Sequence, residues 1–433
     1  MCLGCMEINT RLMSCLCLLL VAFVILCDHC HGGSGRSSED HLLQRISSSK
    51  EGSSPLILEE PTQLVKTQWG EIRVLLSSPL LRKHNVGLGF ITLRPRALLL
   101  PHYLDASFVF LVQQGSARIG WVDQQGELLR QDLSTGDVYA VAAGSLFYLL
   151  STHEDEELEI YGLYDTSEAI DIESIKPFFI AGKSNLFSGF GTRLVSAAFK
   201  VSEEGVAEFL SQQPSKAIIP TSVDAFAQLT SHLPEAWSWK NVASFLLNKK
   251  MHGRAPRPLS LTSSKRSFAN QNGCFASTGG KKLPVLRKSR LGVSFVNLKN
   301  GALLAPHWNP QAMVVGVVTN GTGRIQIAHP NGTNALNRRL EEGTIFVVPR
   351  YFPNCELSSR DAPLKFLGFT VSDEYHGHGQ LPQFLIGRSS VLDKLDMETL
   401  ALSFNMPEEL VASVLGAQQD ENIFSLLESE SDM

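Results

Sequence analysis

The stretch LLLPHY at residues 98–103 decides the fold, because it returns as LLAPHW at residues 303–308. Three further landmarks recur at nearly the same spacing of about 205 residues. They are PLLRK at 79–83 with PVLRK at 284–288, PFFI at 177–180 with PQFL at 382–385, and EEGVA at 203–207 with EELVA at 408–412. A near-constant spacing over four separated landmarks indicates a tandem duplication of one unit of roughly 145 residues.

Short β-type runs separated by turn dipeptides fill the first part of each copy. Gln114-Gly115 and Gln125-Gly126 in the first copy match Asn320-Gly321 and Asn331-Gly332 in the second, with equal spacing. Asn-Gly between alternating apolar runs is the strongest short-range signal for a β-hairpin, so hairpin turns are predicted at these places. Many short strands at regular spacing predict a mainly β fold, with one antiparallel sandwich or barrel in each copy.

A small helical arm is predicted after each barrel. Ser202 offers a capping hydroxyl ahead of Glu203 and Glu204, and carboxylates are favourable in the first turn of a helix. At the matching place Pro407 precedes two further glutamates, and proline is favoured where a helix begins. Each copy is therefore expected to hold a barrel followed by an amphipathic helical appendage.

The chain begins with a targeting segment. Arg11 precedes an apolar run from Leu16 to Cys27 that is too short to span a bilayer comfortably, which predicts a secretory signal peptide. A signal anchor is the alternative. After signal removal we expect no membrane segment.

The layout predicted from these patterns is a signal peptide at 1–31, a disordered leader at 32–62, the first barrel with its arm at 63–213, a Pro- and Ser-rich linker at 214–270, the second barrel with its arm at 271–418, and an acidic tail at 419–433.

Composition narrows the class of protein. Hydrophobic residues make up 43% of the chain and charged residues 19%, which is ordinary for a globular protein with sizeable cores. The formal net charge of −5 gives no reason to expect nucleic acid as a partner. Six of the eight cysteines lie in or beside the signal segment, so only Cys274 and Cys355 remain. Two cysteines make no disulfide framework, and both a mutual bridge and two buried thiols stay open.

The repeated Pro-His stretch, the Gly-x5-Pro spacing and the Glu-Glu helix entry resemble the bicupin seed globulins, and the passage GVSFVNL at 292–298 resembles the 7S or vicilin-like branch. The resemblance covers roughly residues 60–420. It implies two tandem cupin domains, which are jelly-roll β-barrels, with helical arms that join neighbouring copies into a homotrimer. It also implies deposition as a nutrient reserve in the protein storage vacuole, with an extracellular location as the alternative.

The metal-ligand positions of the cupin pattern decide whether a catalytic metal site is expected in this chain. Enzymatic cupins supply His-x-His with a nearby Glu from one motif and a further His from a second, a set that suits Mn, Fe, Cu or Zn. This chain keeps His102 in the first copy and His307 in the second. Other side chains stand at the remaining positions: Leu104, Phe108 or Val109, and Phe147 in the first copy, and Asn309, Met313 or Val314, and Asn354 in the second.

We therefore expect both histidines to be structural, with no catalytic residue, no metal and no cofactor. A residual site formed by His307, Asn354 and Cys355 is a minor alternative. The pair His376 and His378 has metal-like spacing, but it lies in a Gly-rich stretch without nearby cysteines or carboxylates, so a surface loop is the better interpretation.

The resemblance and the lost ligands together predict a non-enzymatic seed storage protein. The first alternative is a secretory bicupin that binds a small ligand, such as a sugar, in a barrel mouth. A metal-dependent oxidase is the second. Two glycosylation sequons begin at Asn320 and Asn331, at the predicted hairpin tips, and a secretory chain would expose them.

Overall fold

The computed structural model describes residues 54–123, 126–171, 173–230, 258–261, 267–278, 290–372 and 382–426. The signal peptide predicted at 1–31 lies outside these residues, as does the predicted pair His376 and His378. Within them, antiparallel strands form four sheets, two for each copy of the repeat.

The first barrel contains one sheet in the order β1-β2-β3-β10-β5-β8-β13 and a second in the order β11-β4-β9-β6-β7, with β12 paired to β4. Its strands are β1 Thr62–Thr67, β2 Gly70–Leu75, β3 Val86–Leu93, β4 Ala97–Leu104, β5 Ser107–Gln114, β6 Ser116–Val122, β7 Leu128–Ser134, β8 Asp137–Val141, β9 Phe147–Ser151, β10 Leu158–Asp165, β11 Pro177–Phe179, β12 Ile218–Pro220 and β13 Leu259–Ser260.

The second barrel repeats this plan, with one sheet in the order β14-β15-β16-β23-β18-β21 and another in the order β20-β19-β22-β17-β24, with β25 paired to β17. Its strands are β14 Phe268–Asn270, β15 Gly273–Thr278, β16 Leu291–Leu298, β17 Ala302–Trp308, β18 Ala312–Gly321, β19 Gly323–Ala328, β20 Asn334–Leu340, β21 Ile345–Val348, β22 Asn354–Ser358, β23 Leu364–Ser372, β24 Gln383–Phe384 and β25 Ile423–Ser425. The prediction of a mainly β chain with two jelly-roll barrels is confirmed.

Helices are short and lie mainly in the two arms. The first arm is the pair Thr192–Phe199 and Glu203–Ser211, and the second arm is the pair Met397–Phe404 and Glu408–Gly416. The Ser202 hydroxyl accepts a hydrogen bond from the Gly205 amide at 3.1 Å, as the capping pattern predicts. The remaining described helices are Pro79–Lys83, Val223–Thr230 and two single turns at Leu186–Gly189 and Leu392–Lys394. No described helix is long and apolar enough to cross a membrane.

Three of the four turn dipeptides lie wholly within the described residues, and they behave in two different ways, whereas Gln125 lies outside those residues. Asn331-Gly332 joins β19 to β20, which pair with each other, so the hairpin predicted there is present. By contrast, Gln114-Gly115 and Asn320-Gly321 are not hairpin tips, because the strands before and after them belong to different sheets. Gly321 has a φ of +83°, and a side chain at this position would collide with the Pro363 carbonyl. Glycine is needed here because the chain turns a corner between sheets.

Each copy donates a short segment to the barrel of the other. Ile57 forms a bridge with Phe346 on β21, and the side chain of Leu56 is fully buried. In return, β13 pairs with β8 at the edge of the first barrel. Pairing satisfies the exposed backbone groups of an edge strand, so the exchange covers the same edge in both barrels.

Some described residues of the predicted leader, linker and tail pair with the sheets of the barrels, which differs from the irregular structure expected there. Residues 218–220, 259–260 and 268–270 lie in the predicted linker, yet they form strands on the barrels. The short strand at 423–425, in the predicted acidic tail, pairs with β17. Apolar side chains such as Ile218, which is fully buried, explain why these polar segments attach to the sheets.

One buried ion pair links the two copies. Arg290, just before β16, donates hydrogen bonds of 2.9 and 2.8 Å to the two carboxylate oxygens of Asp165 on β10. It also donates to the carbonyl oxygens of His84 and Asn85. Burial acts to raise the pKa of Asp165, but hydrogen bonds from Arg290 and Ser167 outweigh it and lower that pKa below its usual range.

Candidate functional site

The two histidines of the repeated Pro-His stretch occupy equivalent places at the centre of each barrel. His102 on β4 stands opposite Phe147 on β9, and His307 on β17 stands opposite Asn354 on β22. In both rings Nδ1 lies 2.8 Å from the carbonyl oxygen two residues earlier. A carbonyl oxygen can only accept, so each neutral ring carries its proton on Nδ1 and leaves Nε2 as an acceptor.

The first barrel is filled around this histidine. The His102 ring centre lies 4.4 Å from that of Phe147 and 5.0 Å from that of Phe179. Nearby, Phe108 stacks on Tyr164 at 4.2 Å. Burial lowers the pKa of His102 to about 4, so the ring stays neutral. This centre is a packed apolar core, and the expected structural role for His102 fits its contacts.

The second barrel replaces these large side chains by smaller or polar ones. The strand registers show the equivalences, because Leu149 faces Leu99 whereas Glu356 faces Leu304, and Tyr164 faces Phe108 whereas Thr370 faces Val314. Four positions therefore differ between the two centres: Phe147 corresponds to Asn354, Leu149 to Glu356, Phe108 to Val314, and Tyr164 to Thr370.

These replacements leave a cavity of about 820 Å³, counting its open mouth, inside the second barrel. Apolar side chains make up much of its wall, and a few polar groups converge among them, as is typical of small-molecule sites. The lining side chains used below are Thr278, Val314, Phe346, Phe366 and Thr370 on the wall, with His307, Asn354 and Glu356 as polar groups.

Glu356 is the most unusual of these groups. Its side chain is only 2% exposed, and its Oε2 atom has no hydrogen-bond partner. Burial raises its pKa to about 8, because the charged form loses hydration. A buried carboxyl group with an unsatisfied oxygen is rare in folded proteins and calls for an explanation. Glu356 is absent from the residues predicted from the sequence, although an acid at the place of Leu149 in the other copy was a usable signal.

His307 and Asn354 complete the polar side of the cavity. The Asn354 amide nitrogen donates to the carbonyl oxygens of His307 and Phe352, which leaves its Oδ1 as the remaining acceptor. Loss of hydration lowers the pKa of His307 to about 4, so its ring stays neutral with Nε2 as an acceptor. Glu356 lies two residues beyond Asn354 on the same face of β22, a separation of about 6.6–7 Å along the strand.

Comparison with known proteins agrees with this geometry. The cupin family model matches residues 57–207 and 259–412, which are the two barrels. A vicilin-like seed storage protein of Arabidopsis thaliana is 32% identical over an alignment of 410 positions that covers 84% of this chain and 79% of that protein. The chain belongs to the vicilin-like bicupins. A second Arabidopsis vicilin-like seed storage protein is 30% identical over an alignment of 399 positions that covers 86% of this chain and 53% of that longer protein.

Solved structures of vicilins share the fold. A vicilin of Solanum melongena, described as holding different anionic ligands in structurally similar pockets, superimposes with a TM-score of 0.74 at 22% identity. The match covers 87% of this chain and 99% of that one. The vicilin of Corylus avellana gives a TM-score of 0.73 at 23% identity, covering 86% and 99% of the two chains. At this level of identity the likeness shows the fold alone.

In this vicilin-like chain, the other predicted ligand positions serve different purposes. Asn309 accepts hydrogen bonds from the backbone amides of Gln311 and Ala312, both at 2.9 Å, which holds a turn. Cys355 alternates with Asn354 and Glu356 along β22, so it faces away from the cavity and cannot join a site with His307. No disulfide joins it to Cys274 in the part of the chain that the structure describes.

The sequon asparagines are both exposed. Asn320 lies at the end of β18, beside the corner between sheets, and the Thr322 hydroxyl is 2.8 Å from that of Ser359. Asn331 lies at the β19–β20 turn, where its Oδ1 accepts a hydrogen bond from the Thr333 hydroxyl at 2.7 Å. Asn331 therefore lies at a hairpin tip, whereas Asn320 is exposed beside a corner between two sheets.

Proposed function

We propose that this protein is a non-enzymatic storage globulin that accumulates in seed as a nutrient reserve. The observation that carries the proposal is the similarity to vicilin-like seed storage proteins across both barrels. The filled centre of the first barrel supports it, because His102 there contacts aromatic rings rather than further metal ligands. Among the described residues, no three His, Cys, Asp or Glu side chains form a group that could hold a metal ion.

Quantitative mass spectrometry across tissues tests the reserve role. The chain should rank among the abundant proteins of mature seed and be scarce in leaf and root. Asn and Gln together number roughly 35, near an average share, so abundance rather than an enriched nitrogen content must make it a reserve. A low and similar copy number in all tissues would instead favour the ligand-binding alternative.

The compartment is part of the same proposal. The predicted signal peptide directs the chain into the secretory pathway, and the reserve role favours the protein storage vacuole as its destination. Glycosylation during passage through the secretory pathway is proposed at Asn331 and Asn320, since both side chains are exposed. Asn331 is the better acceptor of the two, because it stands at a true hairpin tip.

Self-association into a homotrimer is proposed through the helical arms. Each arm pair is too short to be stable without a partner surface. The second arm exposes large apolar side chains, with Leu402 75% and Val414 63% exposed. Several exposed large apolar side chains on one short helix pair favour an interaction site there, and identical chains usually close such contacts by cyclic symmetry. In the trimer a neighbouring copy would cover these apolar side chains and remove them from water.

Replacing Leu402 and Val414 together by lysine should therefore abolish the trimer, because two buried charges at the interface are strongly unfavourable. Light scattering after gel filtration should give about three times the chain mass for the native protein and one chain mass for the variant. Ser413→Lys on the same helix is the matched control and should remain trimeric, since Ser413 is exposed without being apolar. A monodisperse native monomer at micromolar concentration would contradict the proposal.

A further inference from the structure

The cavity of the second barrel has no part in a storage role. The two barrels share one fold, yet the first centre is filled by Phe147, Phe108 and Tyr164 and the second is hollow. Empty space in a core costs stability because its lining loses packing contacts. The buried Glu356 with its unsatisfied oxygen adds a further cost. Both costs disappear if a small molecule fills the cavity.

The polar groups in the cavity wall define the chemistry of that molecule. His307 presents Nε2 and Asn354 presents Oδ1, because the other polar atoms of both side chains are engaged by backbone carbonyls. Glu356 contributes the oxygen that has no partner. A molecule that offers several N–H donors from one atom, beside an apolar body, satisfies this wall.

We propose that the second-barrel cavity binds a small primary amine, whose ammonium group sits among Glu356, His307 and Asn354. The hydrocarbon part of the ligand would lie against the apolar wall, which includes Phe346 and Phe366. An ammonium group carries three N–H donors, which Glu356, His307 and Asn354 can accept, and the unpartnered Thr278 hydroxyl in the same wall is a further available acceptor. An ammonium group beside Glu356 favours the carboxylate form of that side chain, which then matches its charge. A charge-assisted hydrogen bond is about twice as strong as a neutral one.

Two other ligand classes fit this wall less well. An anion would be compatible with Glu356 only in its protonated form, and the described residues that line the cavity include no lysine or arginine to balance a negative charge. This distinguishes the site from a pocket that takes anionic ligands. A transition metal would find one imidazole and one carboxylate, with an amide as the third ligand, which is a weaker set than enzymatic cupins use.

Calorimetric titration with three matched probes tests the proposal on the full mature protein. Benzylamine, benzyl alcohol and benzoate have nearly the same shape and differ in the group that would meet Glu356. Benzylamine should bind once per chain, at least tenfold more tightly than either of the others. Equal or tighter binding of benzyl alcohol or benzoate overturns the proposal, and so does stoichiometric Zn²⁺ or Mn²⁺ that displaces the amine.

Two kinds of variant locate the site. Glu356→Gln keeps the shape of the side chain and removes its charge, so benzylamine affinity should fall at least tenfold. Thr370→Tyr, which copies Tyr164 of the first barrel, should abolish binding by filling the cavity, and Val314→Phe, which copies Phe108, serves the same purpose if the first variant does not fold. Glu341→Gln on the surface is the control. Unchanged affinity in Glu356→Gln would overturn the assignment.

Discussion

Replacing Arg290 by alanine is expected to lower the free energy of unfolding by about 3–5 kcal/mol, because it removes one partner of a buried ion pair. Arg290 and Asp165 are only 12% and 11% exposed, so the remaining carboxylate would stay buried without its cation. The carbonyl oxygens of His84 and Asn85 would lose a donor as well. The loss weakens the junction between the two barrels, and urea unfolding followed by fluorescence would measure it.

A surface pair gives the matched control for this variant. Arg339 lies 3.1 Å from Glu341, and their side chains are 69% and 63% exposed, so Arg339→Ala should change the free energy of unfolding by less than about 1 kcal/mol. Because the folded-state pKa of Asp165 is lowered, the stability it contributes is present above the usual Asp range and is lost as pH falls through the folded pKa. The defect of Arg290→Ala should therefore shrink in acid. Equal effects of the two alanine variants would contradict the account.

Replacing Glu356 by leucine is expected to stabilise the protein by a few kcal/mol above pH 8 and to change it little below pH 4.5. The folded-state pKa of Glu356 is raised from 4.5 to about 8 by burial, so the folded protein holds a proton that the unfolded chain releases. In the native protein the contribution of Glu356 to the free energy of unfolding is fully present below pH 4.5, and it declines as the pH rises to about 8. Each pH unit between them removes up to about 1.4 kcal/mol.

The first barrel supplies the reason for choosing leucine. Leu149 fills the equivalent place there and is fully buried, so the substitution copies a side chain that the fold already accepts. Thermal unfolding of Glu356→Leu and the native protein from pH 4 to 9 measures the effect. Glu341→Leu on the surface should leave the pH dependence of unfolding unchanged. A native protein whose stability does not fall between pH 5 and 8, relative to Glu356→Leu, would show that the carboxyl group is hydrated.

The repeat, the strand pattern and the helix caps were predictable because they depend on local sequence. The positions of LLLPHY and LLAPHW fixed the duplication, and the Ser202 cap follows from one hydroxyl and one backbone amide. The use of Asn320-Gly321 was not predictable from these signals. A dipeptide with positive φ suits both a hairpin and a corner, and only long-range pairing of β18 with β23 decides between them.

Which side chains meet inside each barrel could not be predicted from the sequence, for a similar reason. Sequence reasoning placed Asn354 at a vacated ligand position, but it could not show that Val314, Thr370 and Glu356 meet the same space, because they lie on three different strands. The exchange of residues 56–58 and β13 between the barrels was equally hidden. Both are very short apolar runs within longer polar stretches, so they carry no periodic signal. The buried side chains of Leu56 and of Leu261, directly after β13, attach them to the barrel edges.

The most direct test of the reserve role is the fate of the protein during germination. Antibody-based quantification per seed, from seed filling through the first days of seedling growth, follows the amount of this chain. A reserve should accumulate during filling, stay constant in dry seed and fall to a small fraction as the seedling grows. A constant amount through germination, or a rise in growing tissue, would contradict the proposed storage function.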